Sequence, residues 1–108
     1  MAEYVFNEKD NGGLVQVQRG AKITIELKEN PTTGYRWTIN RIDQAFLVAE
    51  GDEFGPPDQK TPGAGGLRRL SFRAKAEGST ALSLINKRAW QSDDKAVDSF
   101  KLAIRILK

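Results

Sequence analysis

The sequence predicts an all-β fold on three observations. Apolar residues recur with a period of two, turn-forming residues separate the alternating runs, and no stripe of helical period occurs along the 108 residues. The first run is Leu14 to Val17. In the second, Ile23, Ile25 and Leu27 alternate with Lys22, Thr24, Glu26 and Lys28, which gives an extended segment one apolar face and one wet face. Tyr35 to Ile39 and Ala45 to Val48 read as the next two strands. Leu70, Phe72 and Ala74 then alternate with Arg69, Ser71, Arg73 and Lys75, Thr80 to Ile85 follows, and Phe100, Leu102, Ile104 and Ile106 form the last run.

Turn chemistry falls between these runs at Asn11-Gly12-Gly13, Asn30-Pro31, Gly55-Pro56-Pro57, Thr61-Pro62-Gly63 and Glu77-Gly78. Short strands punctuated in this way predict a single domain over residues 1–108. Its expected form is an immunoglobulin-like antiparallel β-sandwich, with a small barrel as the alternative. Residues 51–66 (GDEFGPPDQKTPGAGG) lack alternation and are expected to form one long exposed loop. Long loops in small domains need a reason, and function is a common one.

Composition excludes more than it assigns. With no cysteine and no histidine, the chain has no disulfide, thiol nucleophile or thiolate zinc site, and it lacks the usual general base. Neither a Ser-His-Asp nor a Cys-His machine can be built from it, and no cofactor is expected. Lys+Arg of 17 against Asp+Glu of 14 leaves a net charge of +3 spread along the chain, a weak footprint for nucleic acid. Met1 to Asp10 mixes acidic, basic and aromatic residues without the apolar run of a signal peptide, and no stretch approaches the roughly 20 apolar residues of a membrane span. The expectation is a soluble monomer away from membranes, cytoplasmic, or vesicular or exported if a leader precedes this segment.

Four sets of residues could carry chemistry or binding. Glu50, Asp52 and Glu53, with Asp93 and Asp94, are the available carboxylates; placed in polar loops they read as solvated side chains rather than as a tuned acid/base pair. Gly63-Ala64-Gly65-Gly66 superficially suggests a phosphate cradle, but Leu67-Arg68-Arg69-Leu70 supplies neither the Lys-Ser/Thr of a Walker loop nor a following helix. It is either a flexible turn or a backbone that comes close to a partner. In Asn30-Pro31-Thr32-Thr33-Gly34-Tyr35-Arg36-Trp37, Pro fixes φ near about −65° and Gly permits positive φ, which gives a stiff bend with two threonines at its apex and Tyr35 and Trp37 as anchors. Trp90, in Arg88-Ala89-Trp90 within a polar segment, is either folded back on the core or kept for a partner, and Arg beside Trp favours an interface.

Taken in chain order and at these spacings, the last three sets resemble the chagasin-type inhibitors of cysteine peptidases. The family pattern is an N-P-x-T-G-Y loop, a G-x-G-G loop and an R-P-W or R-P-F loop on a domain of about this length. Asn30 to Tyr35 fills every signature position of the first, and Gly63 to Gly66 keeps the second; in the third, Ala89 replaces the usual Pro. The resemblance implies an immunoglobulin-like sandwich whose three loops lie side by side and dock on papain-like, cathepsin-type peptidases. Thr32 and Thr33 would then sit over the target's nucleophilic cysteine, residues 63–66 would run along the non-primed side through backbone hydrogen bonds, and Trp90 with Arg88 would pack on the primed side. It further implies reversible, competitive, non-covalent inhibition, in which preformed loops lose less freedom on docking. Ala89 leaves the third loop freer than Pro would, which is expected to weaken primed-side binding by at most about 1 kcal/mol. The alternative class is a sandwich or barrel module binding nucleic acid or glycans through Arg36, Arg68, Arg69, Lys87, Arg88 and an exposed Trp, marked by a steep salt dependence.

Overall fold

Strand alternation in the sequence becomes two stacked sheets. The computed structural model describes residues 2–55 and 65–108. Its strands are β1 (Glu3–Phe6), β2 (Leu14–Gln18), β3 (Lys22–Glu29), β4 (Tyr35–Arg41), β5 (Leu47–Gly55), β6 (Gly66–Ala74), β7 (Gly78–Arg88) and β8 (Asp98–Leu107). Short 3₁₀ turns lie at Glu8–Asp10, Pro31–Thr33 and Asp93–Lys95. One sheet has the order β1-β3-β6-β5 and the other β2-β8-β7-β4. The sandwich expected from the alternation is therefore present. Its pairings are antiparallel except that the two N-terminal strands join by parallel pairing, β1 on β3 and β2 on β8.

The inward-facing residues of the alternating runs make one core. Ile23, Ile25 and Leu27 of β3 and Leu70, Phe72 and Ala74 of β6 meet Leu82 and Leu84 of β7 and Phe100, Leu102, Ile104 and Ile106 of β8, with Val17, Trp37 and Leu47 completing it. Fully burying side chains of this size stabilises the fold by about 1.5–3 kcal/mol each. Strand β1 escaped the sequence analysis because it spans four residues; its Tyr4 and Phe6 stack with centroids 6.2 Å apart and pack on the core's margin.

The largest departure from expectation concerns residues 51–66. Residues 51–55 are not loop: β5 runs from Leu47 to Gly55 and pairs with β6 from Leu47↔Ala74 to Gly55↔Leu67. Ala45, expected to start a strand, lies in the preceding turn, where its N–H donates to Asp43 Oδ1 at 3.0 Å. Alternation fails in β5 because a bulge between Ala49 and Gly51 inserts a residue. A one-residue shift swaps faces, so Asp52 and Phe54, opposite Leu70 and Arg68, take the same face of the sheet as those residues while staying exposed at its edge. The connection to β6 shrinks to residues 56–65.

Register places three connections at one end of the sandwich. Glu29 pairs with Gly66, Gly55 with Leu67, Tyr35 with Arg88 and Asn86 with Asp98. The strand ends that carry loop 1 (residues 30–34), loop 2 (56–65) and loop 3 (89–97) therefore lie together. Among the described residues no helix is long and apolar enough to cross a membrane.

Candidate functional site

Loop 1 is held by its own side chains. Asn30 Oδ1 accepts from Thr32 N–H at 3.1 Å and from Thr32 Oγ1 at 2.7 Å, while Thr33 Oγ1 donates to the Asn30 carbonyl at 2.9 Å. Asn at the head of a turn offers such bonds because its short amide reaches the backbone two residues on. Both threonine hydroxyls are thus directed back into the loop as braces, and the threonine side chains are exposed. Gly34 takes φ of 80°, a conformation that L side chains rarely adopt, which explains glycine there.

The roots of loop 1 are tied to the core on both sides. Trp37 is 3% exposed, its N–H donates to Glu29 Oε1 at 2.7 Å and its indole Nε1–H to the Lys28 carbonyl at 3.0 Å. Tyr35, expected as a second core anchor, is only half-buried and lies under the Arg88 guanidinium, 4.5 Å from its ring centroid.

At the strand ends that carry loops 1 and 2 lies an ion-pair network that sequence reasoning missed. Glu29 and Arg68 are 5% and 9% exposed; Arg68 Nη2 and Nε donate to Glu29 Oε2 at 2.6 and 3.1 Å, and Arg68 Nη1 reaches Asp52 Oδ1 at 2.9 Å. Asp52 Oδ2 accepts in turn from Arg36 Nη2 at 2.7 Å, which links β5 in one sheet to β4 in the other. Burial alone pulls the Arg68 pKa down, but hydrogen bonds to Glu29 and Asp52 and the attraction of both carboxylates outweigh it and hold the pKa above its ordinary value. The signal was available in the alternation: Glu29 continues the inward set Ile23, Ile25, Leu27, and Arg68 precedes Leu70, Phe72, Ala74 with the same parity. Two opposite charges at inward positions at the same end of adjacent strands imply a buried pair.

The described half of the glycine motif also has an internal reason. A Cβ on Gly66 would lie 2.5 Å from the Gly55 carbonyl and 2.3 Å from the Phe54 ring; one on Gly65 would lie 3.0 Å from the Glu29 carbonyl. A side chain at Gly66 is thus excluded by the protein's own Phe54 ring and Gly55 carbonyl, and one at Gly65 would press on the Glu29 backbone. Gly63 and Ala64 lie outside the described residues.

Loop 3 presents the tryptophan. Trp90 is 75% exposed, which removes the core reading. Arg88 joins loop 3 to loop 1: its guanidinium sits between Tyr35 and Trp90, 5.9 Å from the latter's ring, and its Nε donates to the Thr33 carbonyl at 3.3 Å. A Cβ on Gly34 would meet the tip of the Trp90 indole at 3.4 Å, so the first and third motifs touch.

The carboxylates and cations singled out in the sequence are mostly engaged with one another. Glu50 and Asp52 stand on β5, not in a loop, and pair with Arg73 at 3.1 Å and with Arg68 and Arg36. Asp93 pairs with Lys87 at 2.9 Å, Asp94 accepts from Ser92 Oγ, and Glu53 is exposed. Arg69 pairs with Glu26 at 2.6 Å. Of the cations that the nucleic-acid alternative would use, Arg36, Arg68, Arg69 and Lys87 thus already have carboxylate partners, which leaves no open basic stripe built from them.

The chain was compared with known proteins. Residues 16–104 match the family described as Chagasin family peptidase inhibitor I42. Chagasin of Trypanosoma cruzi is 31% identical over 100 residues, covering 88% of this chain and 90% of that protein. The crystal structure of the cysteine protease inhibitor EhICP2 from Entamoeba histolytica superposes with a TM-score of 0.88 at 21% identity, covering 99% of this chain and 97% of that one. PbICP-C, solved in complex with falcipain-2, gives 0.55 at 14% identity, with 98% and 92% covered. With the strand ends that carry the three motifs gathered at one end of a two-sheet sandwich and a match over most of its length, the chain belongs to the chagasin family of peptidase inhibitors.

Proposed function

We propose that this protein is a reversible, competitive, non-covalent inhibitor of papain-like, cathepsin-type cysteine peptidases, acting as a binding domain and not as an enzyme. The observation that carries the proposal is the linkage of the loops. Arg88 ties loop 3 to the Thr33 carbonyl of loop 1, and the Glu29–Arg68 pair fixes the roots of loops 1 and 2. The proposed contact residues are Asn30, Pro31, Thr32, Thr33, Gly34 and Tyr35 of loop 1, Gly63, Ala64, Gly65 and Gly66 of the glycine motif, and Arg88, Ala89 and Trp90. Thr32 and Thr33 would cover the catalytic cysteine, with the glycine segment on the non-primed side and Trp90 on the primed side.

Such loops bind without being cut for a geometric reason. A peptidase attacks a carbonyl in an extended segment, whereas Pro31–Thr33 is a 3₁₀ turn braced by hydrogen bonds of Asn30, Thr32 and Thr33. Opening that turn would sacrifice these bonds before any carbonyl could align. An interface of standard size, roughly 800 Å² per partner, would suffice.

Steady-state assays against papain and a few cathepsin-type enzymes test the proposal. The expected result is inhibition relieved by excess substrate, insensitive to moderate salt and undiminished after prolonged incubation. Rapid cleavage at the Thr32–Thr33 bond with loss of inhibition would sink it.

A further inference from the structure

Ala89 of loop 3 stands where the R-P-W or R-P-F motif has proline. Gln91 N–H donates to the Arg88 carbonyl at 3.0 Å, which makes Arg88–Gln91 a four-residue turn and puts Ala89 at its second position. Proline is favoured there because its ring presets φ; alanine leaves that angle free. Trp90 occupies the third position and, at 75% exposed, gains no fixed orientation from the core.

Another restraint spans the same turn. Lys87, one residue before it on β7, sends Nζ to the Gln91 carbonyl at 2.8 Å and to Asp93 Oδ1 at 2.9 Å, and its side chain is only 18% exposed. Gln91 Oε1 adds a longer contact, accepting from Arg88 N–H at 3.4 Å. We propose that Lys87 is a positioning residue for Trp90: by tying the strand before the turn to the backbone after it, the ammonium supplies the restraint that a proline at position 89 would supply. One acceptor is a backbone carbonyl of the loop itself, so the tie fixes main-chain geometry and not merely two exposed side chains. Lys87, considered in the sequence as a nucleic-acid contact, thereby acquires a role inside the inhibitory surface.

This inference rests on the proposed inhibitory role of Trp90, and its test separates the two. Lys87→Met keeps the aliphatic stem and removes the donors; it is compared with the parent, Ala89→Pro and the double variant. Two quantities are read: the inhibition constant for papain, and the mobility of the Trp90 indole N–H in the free protein by heteronuclear ¹⁵N NOE. Lys87→Met is expected to mobilise the indole and raise the inhibition constant about fivefold, the scale of a lost backbone restraint. Introduced into Lys87→Met, Ala89→Pro should bring both quantities back toward the values of the protein that carries Ala89→Pro alone. A structural ion pair would not be rescued by a proline two residues away. An unchanged NOE in Lys87→Met, or no rescue by Ala89→Pro, overturns the assignment, and Lys87→Leu, which also lacks a donor, gives the same reading if the first variant folds poorly. Should the parent fail to inhibit any papain-like enzyme, the functional proposal falls while the NOE comparison still decides the role of Lys87.

Discussion

Replacing Glu29 by glutamine would test whether the buried network fixes the loop end of the sandwich. The substitution keeps the shape and leaves a carbonyl to accept from Trp37 N–H, now 2.7 Å from Glu29 Oε1, but removes the charge facing Arg68. Breaking a buried pair by removing one partner costs about 3–5 kcal/mol because the remaining charge is left uncompensated. Asp52 still holds Arg68 Nη1, so the lower figure applies. About 3 kcal/mol corresponds to a fall of roughly 12 °C in the melting temperature of a domain this size. Urea denaturation followed by far-UV circular dichroism measures it, with an unchanged m value expected. The sharper arm is the double variant Glu29→Gln with Arg68→Met, which removes both charges and again spares the acceptor for Trp37. It should be more stable than Glu29→Gln alone by about 1 kcal/mol or more, since no unpaired guanidinium is left. A single variant costing under about 0.5 kcal/mol, as exposed pairs do, would refute the reasoning. A double variant costing the sum of both singles would do the same.

Three other outcomes follow from the geometry. Trp90→Ala should raise the inhibition constant about 30-fold, the equivalent of about 2 kcal/mol for a lost anchor, while leaving the thermal midpoint in place because the ring is outside the core; unchanged inhibition would remove Trp90 from the interface. Gly66→Ala should cost about 1–3 kcal/mol in urea denaturation, because the new methyl lands 2.5 Å from the Gly55 carbonyl, a backbone atom that cannot rotate aside as a side chain does. Inhibition should be flat between about pH 5 and 7 once the peptidase's own profile is divided out, since the chain has no histidine. Arg68 does not disturb this: its raised pKa means that its stabilising contribution is fully present below the unfolded value and is lost only as pH climbs through the higher folded value, in strongly alkaline solution. An inhibitor-borne loss at pH 5.5 would contradict that expectation.

How much of this was legible depended on whether a residue's role was periodic. Strands β3, β6 and β8 could be read because one face of each meets the core, and that requirement writes a period of two into the chain. Strand β5 could be read only at its start, Leu47 and Val48, since the bulge at Ala49/Gly51 switches the inward face midway and sums two patterns into none. Trp37 could be read as an anchor from its place in an alternating run, whereas Tyr35 was misjudged because its partner, Arg88, comes from a distant strand and is brought there by register alone. The glycine motif was visible as a motif, but its cause was not: the atoms that exclude a Cβ belong to Phe54, Gly55 and Glu29, which only the sheet brings near.

The same contacts bear on why charges are buried at this end rather than more leucine. An apolar pair at positions 29 and 68 would stabilise the sandwich at least as well, since burying ions costs much of what their attraction returns. It would not, however, fix distances. The Glu29–Arg68–Asp52–Arg36 chain has donors and acceptors at set angles, so it locates the root of loop 1 relative to β5 and β6, the strands that carry loop 2, and reaches across to the second sheet through Arg36. Arg88 then continues from loop 1 to loop 3 through Thr33, Tyr35 and Trp90. Each side chain ordered on docking costs roughly 0.5–1.5 kcal/mol, and a surface assembled from three separate connections would incur that cost three times over unless the connections were already joined. The polar network at the strand ends that carry loops 1 and 2, and the arginine between loops 1 and 3, do that joining before any partner arrives.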